Sequence, residues 1–434
     1  MADDVRRTIA LLHRRAGFGL APGELDAGVG DGVDATIDRL VDPDNHGVPP
    51  VTDPWDGLDL SLPDGLTPDA TPDQRKAAQQ QLRQQGLRAI DAWLTHLVTT
   101  PRPLEDWMVW FWHGHLVSGL DKVKVPAMMV QQLRTFRSLA FAPFATLLRA
   151  ATVDPAMLVY LDGDTSTGTQ PNENYGRELL ELFSLGIGNY GEDDVKAGAR
   201  ALTGWTVVRR TIEARFAPAR HDDAPQHYLG RDGVHDVDSV IAAVVAQPAC
   251  AHFIAAKLAH AVLGPDIDDH LVDDLAAGYA SSGLDTRVLV RSVLRALADG
   301  RGSDLVLAPV PWLVAAQRAT GATLSSDARL RGLRAAGQLP MYPPNVAGWP
   351  SGTAWFGAST VVARYDFASA LATAAPADNP VIVAARNGDV DALADALGRP
   401  EGFSDATRAA LAGVHGDATS TAALALASPD LALA

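Results

Sequence analysis

Residues 171–205, PNENYGRELLELFSLGIGNYGEDDVKAGARALTGW, constrain the fold more than any other stretch of the chain. Pro171 and Asn172 suit a helix start, and Leu179, Leu180, Leu182 and Phe183 supply an apolar surface that runs to Leu185. Gly186 and Gly188 stop that helix. The next opens on Glu192, Asp193 and Asp194, where the positive end of a helix dipole favours acids, and closes at Gly204. The unit is therefore a helical hairpin, and a chain built of such units needs a helix-on-helix core. The segments 238–245, 248–263, 268–280 and 285–298 repeat the pattern, each with a capping acid or a proline at its start.

A mainly α fold follows: one large multi-helix domain over residues 1–434, with long irregular loops and no linker dividing it. Apolar residues at 47% and charged residues at 20% give a globular balance, and alanine-rich runs favour helix. Acids outnumber bases 52 to 36, for a net charge of −16, which argues against a general phosphate-binding surface and against nucleic acid as a partner. Cys250 is the sole cysteine, so no disulfide forms within the chain, and its apolar neighbours mark a buried thiol. No apolar run is long enough to span a bilayer, and the N-terminal residues as written lack a secretory apolar region. A soluble, cytoplasmic protein is the expectation.

Along the chain, residues 6–15 read as a helix with Ile9, Leu11 and Leu12 inward. Its last turn carries His13, Arg14 and Arg15, expected to offset the helix dipole, with anion binding as the alternative. Residues 42–72 are rich in aspartate and proline (Pro49, Pro50, Pro54, Pro63, Pro68, Pro72). They are expected to exclude regular structure and form a surface loop or lid, with disorder as the equal alternative. A long helix follows Pro72, with Leu87, Ile90, Trp93, Leu94 and Leu97 as its core stripe. Residues 205–217 admit a small β-ribbon, leading into a loop rich in histidine and aspartate that runs to 235.

The chemistry-bearing candidates fall in four places. In the hairpin, Glu173, Arg177 and Glu181 are spaced i, i+4, i+8 and predict a salt-bridged ladder, while Glu178 points about 100° away and is free to face a pocket. In the stretch PRPLEDWMVWFWHGHLVSGLDKV, Leu104, Trp107, Trp110 and Phe111 lie at core spacing. His113 and His115 diverge by about 200° on a continuous helix and share a metal only if Gly114 breaks it. Third, HDDAPQHYLGRDGVHD brings His221, His227 and His235 among Asp222, Asp223, Asp232 and Asp236, a donor mix that suits zinc, iron or manganese without a recognised spacing. The loop 340–357 presents Tyr342, Asn345, Trp349, Trp355 and Phe356 on irregular backbone, where rings either stack on a ligand or seal the core.

Taken together, the motifs His13–Gly19 (HRRAGFG), Phe111–His115 (FWHGH), Asn172–Phe183 (NENYGRELLELF), Ala199–Trp205 (ARALTGW) and Pro343–Pro350 (PPNVAGWP) resemble the bacterial family catalogued as domain of unknown function 1800. The resemblance covers nearly the whole chain. It implies a helical protein, in a family with many exported members and a sulfatase-like partner family, and it carries no settled activity. Ala224 and Gln226 stand where that family has glycine and lysine after His221-Asp222, and Val310-Pro311 where it has a residue and glutamate after serine-proline.

These residues suggest a pocket lined by His113, His115, Glu173, Glu178, His221 and Asp222, with Arg177, Tyr342, Asn345, Trp349 and Trp355 binding substrate. The leading expectation is acid–base hydrolysis of a polar polymer such as a glycan, with Glu173, Glu178, His113 and His115 as the catalytic set. The first alternative is a metal-dependent hydrolase or oxidoreductase, its divalent ion held by His113, His115, His221 and Asp222. The second is a non-catalytic binding or scaffold protein acting with a partner, its polar motifs forming buried networks.

Overall fold

The computed structural model describes residues 2–67, 69–414 and 416–434. The expectation for Pro68 therefore lies outside the described residues. Among those described, the chain forms 23 α-helices and two separate two-stranded antiparallel sheets, a mainly α architecture. Buried apolar side chains from Leu12 to Ala434 form one continuous cluster, with a smaller one of Ile9, Ala10, Leu20 and Leu25 beside it. No single described helix is long and apolar enough to cross a membrane. One pair passes the length and apolarity test only jointly, Val237–Val245 and Pro248–Leu263, and it is bent by 76°.

Local sequence accounts for most helix starts. Thr71 and Gln74 close a capping box on the helix Pro72–Thr99, in which Pro72 occupies a position that has no intrahelical N–H to offer. Asp154, Asn172, Asp236, Asp268 and Asp285 each accept backbone N–H groups at the first turn that follows them. The central hairpin is the helix Glu173–Glu181, a turn with Gly186 and Gly188 at positive φ, and the helix Glu192–Ala201. The two helices approach closely because Gly176 has no side chain: a Cβ there would lie 2.8 Å from the Val195 carbonyl oxygen.

Among its described residues the segment 42–72 contains two short 3₁₀ turns, Pro43–His46 and Asp64–Leu66, and the buried Trp55 ties it to the helix Pro72–Thr99. The Trp55 ring is 1% exposed, packs 6.2 Å from Trp93, and donates its indole N–H to the Ala89 carbonyl at 2.9 Å. Proline excluded long helices but not turns, and the Trp55 ring, together with Arg102 donating to the Val48 and Pro49 carbonyls and Gln85 to that of Ser61, anchors the segment. The first ribbon pairs Trp205–Val208 with Glu213–Phe216, as expected. A second, Gln226–Tyr228 with Arg231–Val234, occupies the histidine-rich loop and was not foreseen.

Arg14 and Arg15 serve other elements and not their own helix end. Arg15 is buried and donates to the carbonyls of Val262 and Leu263, the last turn of Pro248–Leu263, and to those of Ser303 and Ala434. Arg14 pairs with Glu401 at 2.8 Å and reaches the Gly398 carbonyl. These contacts fasten the first helix to the last part of the chain.

Candidate functional site

The helix Pro103–His115 runs unbroken through Gly114, so His113 and His115 leave it on different sides. His113 is fully buried among indoles: ring centroids lie 5.6 Å from Trp93, 6.3 Å from Trp110 and 5.3 Å from Trp349, all edge-on. Its Nε2 accepts the Met341 backbone N–H at 3.1 Å, which assigns the proton to Nδ1. Nδ1 has no conventional acceptor and lies within this cage of rings. Burial pulls the His113 pKa down to about 3. The imidazole is therefore neutral at pH 7, with its only lone pair already engaged.

His115 turns the other way. It stacks on Phe111 at 6.0 Å, lies 6.0 Å from Phe253, and donates Nε2–H to the Phe183 carbonyl at 3.0 Å. Burial, with a smaller contribution from the Lys257 charge, lowers its pKa to about 4.

The loop after Gln338 closes over this helix. Met341 is buried at φ 61°, an uncommon conformation for a residue with a side chain, and both its backbone groups are engaged: N–H to His113 and C=O to the Leu120 N–H at 2.8 Å. Gly348 has φ 83°, and a Cβ there would sit 2.5 Å from the Gly114 carbonyl oxygen. Only glycine allows the loop so close. Trp349 then stacks on Trp110 at 5.6 Å, and Asn345 accepts the Ala347 N–H within the turn. Trp355 is 4% exposed, whereas the neighbouring Phe356 is 39% exposed. Tyr342 is half-buried, its hydroxyl pKa raised by burial.

The hairpin corrects the expected ladder. Arg177 makes a two-point pair with Glu192 across the turn, at 2.8 Å for each contact, and not with Glu173 or Glu181. Glu181 accepts the Tyr190 hydroxyl at 2.6 Å, and Glu173 is exposed in the first turn. The two parallel N–H···O contacts of a guanidinium fork on one carboxylate add geometric specificity to the charge attraction. Glu178 is half-buried, and burial first, then the neighbouring Glu181 charge, raises its pKa.

His221 and Asp222 belong to a third environment. The His221 Nδ1 lies 2.9 Å from the Thr203 carbonyl, and its ring stands edge-on to Phe216 at 5.1 Å. Asp222 accepts from Arg200 Nε at 2.6 Å, which holds its carboxyl below the usual range. None of these partners is shared with His113 or His115, so the expected metal quartet is not brought together. Among the described residues no group of three or more His, Cys, Asp or Glu side chains is arranged to hold a metal ion. Two cavities of about 360 and 330 Å³ lie among the C-terminal helices and beside Arg6, and neither is lined by any of these candidates.

Asp106 and Asp154 are among the buried polar groups that escaped the sequence reading. Asp106 is fully buried and joins His96 at 2.9 Å and Arg137 at 2.6 Å. Asp154 accepts from Gln132 and from the N–H groups of Ala156 and Met157, and burial pushes its pKa up to about 7. The Asp154-Pro155 pair signals a cap, but nothing local signals burial. Neither a curated protein nor a solved structure matches the chain. A family model does match, over residues 11–433, and the chain therefore belongs to the family described as Protein of unknown function (DUF1800).

Proposed function

We propose that this chain acts by binding, as a scaffold for a protein partner, and that its FWHGH and PPNVAGW segments form an internal clamp. The observation that carries this reading is His113: its ring is enclosed by three tryptophans and its Nε2 is committed to the Met341 N–H. A general acid or base needs a lone pair or proton within reach of a substrate and a pKa near the working pH. His113 offers neither. The other candidates support the same reading, since Arg177, His115, His221 and Asp222 all have internal partners. The sulfatase-like proteins implied by the family resemblance are the first partners to test by co-purification.

One observation favours a second reading. Glu178 is half-buried with a raised pKa beside Glu181, as a proton-donating carboxyl in acid–base hydrolysis of a polar polymer would be. The experiment is a hydrolysis screen on a polysaccharide panel, wild type beside Glu178→Gln. The binding reading expects no turnover that the substitution removes. Hydrolysis abolished in Glu178→Gln would overturn it and establish Glu178 as the acid.

A further inference from the structure

The helix Ala358–Ala374 is apolar on both sides. Its inner face, Ala363, Phe367, Ala368, Leu371 and Ala372, is buried and faces the helices Ala418–Ala427 and Pro309–Thr320. Phe367 packs so tightly on Gly332 that a Cβ there would fall 2.2 Å from its ring. The outer face carries Val361 at 49% exposure, Val362 at 59% and Tyr365 at 57%, and Phe356 at 39% lies just before the helix. With Ala358, also exposed, these outer residues are spaced i, i+3, i+4 and i+7, the seam one helix offers to another. A helix apolar all round is ordinarily covered all round.

Charge selects what covers it. Arg364 is the helix's one cation and is withdrawn: it is buried, donates to the Leu307 carbonyl, and lies 5.8 Å from the centroids of both Trp312 and Phe356. The only charged side chain exposed on this helix is Asp366. A second copy would bring two chains of net charge −16 together with two such aspartates, whereas a basic partner meets attraction at both ranges. We infer that the Val361–Val362–Tyr365 face is a docking surface for an amphipathic helix of a protein partner, apolar on one side and carrying lysine or arginine at the seam's edge. This rests on the binding reading and names the surface and the partner's chemistry. From Ala358 to Tyr365 the seam spans about two turns, roughly 10 Å at 1.5 Å per residue.

The test uses the full-length protein and a labelled 14-residue synthetic leucine–lysine peptide with leucines at helical seam spacing, followed by fluorescence anisotropy. Its counterpart with every lysine replaced by glutamate is the control. Wild type should bind the basic peptide, with affinity falling at least ten-fold in Val362→Asp and Tyr365→Ala, a few-fold in Asp366→Asn, and at least ten-fold for the acidic peptide. Val362 and Tyr365 are exposed, and circular dichroism on each variant checks that it folds. Absence of binding, or binding unchanged in both Val362→Asp and Tyr365→Ala, overturns the proposal. So does a wild-type homodimer in sedimentation that Val362→Asp dissociates, which would assign the face to a second copy. Any of these results leaves the scaffold reading intact; hydrolysis sensitive to Glu178→Gln would instead overturn that reading.

Discussion

Replacing His113 with phenylalanine separates a clamp from a catalytic base by its pH dependence. The substitution leaves the buried Met341 N–H without its acceptor, at a cost of about 1–3 kcal/mol. It also removes a titration. Burial holds the His113 pKa near 3 against an ordinary 6.5, so the unfolded chain binds a proton that the native state refuses. Stability from this group is fully present above 6.5 and is lost as pH falls towards 3, at about 1.4 kcal/mol per pH unit. At pH 5 wild type has lost about 2 kcal/mol that His113→Phe cannot lose. His13 and His115, both depressed by burial, add the same trend to both proteins and cancel in the difference. Urea denaturation at pH 7.5 and pH 5 therefore reads one number twice: the wild-type advantage should shrink by about 2 kcal/mol on acidification. An advantage that is equal at the two pH values would refute the assignment of a buried, neutral His113.

Other outcomes follow from the same geometry. Gly348→Ala places a methyl group against the Gly114 carbonyl at a positive φ. It should cost about 2 kcal/mol or more and change the tryptophan fluorescence as the Trp349–Trp110 stack opens. Asp154, with its pKa raised to about 7, stabilises the fold most below its ordinary 3.8 and progressively less up to 7; Asp154→Asn should gain on wild type by roughly 3 kcal/mol between pH 5 and pH 8 in denaturant titrations. Arg177→Ala removes an exposed pair with Glu192 and a contact with the Tyr190 hydroxyl, both at the surface of the hairpin, so its urea midpoint should match that of wild type; a large loss would mean that these contacts brace the hairpin.

The helical character was legible because it is written locally. Asn172 caps its helix, Gly186 and Gly188 end it, and Glu192 to Asp194 begin the next, all within one stretch of sequence. Cys250 was equally plain from its apolar neighbours: it is buried, with its thiol pKa pushed up to about 12. The site was legible only as a set of residue types. Helical periodicity gave the divergence of His113 and His115, yet the partner that decides the chemistry of His113 is Met341, 228 residues away. Arg177 illustrates the same limit on a smaller scale, since an i, i+4 ladder and a cross-turn pair with Glu192 use the same residues, and only the turn geometry chooses. Trp355 and Trp349 sit on one irregular loop, but the first is buried and the second stacks on a ring from a distant helix.

The central claim is that the FWHGH histidines work inside the fold. Acylation of native protein by diethylpyrocarbonate, read residue by residue by mass spectrometry, tests it directly. His227, His235 and His252, with side chains 68%, 51% and 54% exposed, should react quickly, while His113 and His115 stay unmodified until the protein unfolds. Modification of His113 at the rate of His227 in folded protein would contradict the clamp and return that imidazole to the list of catalytic candidates.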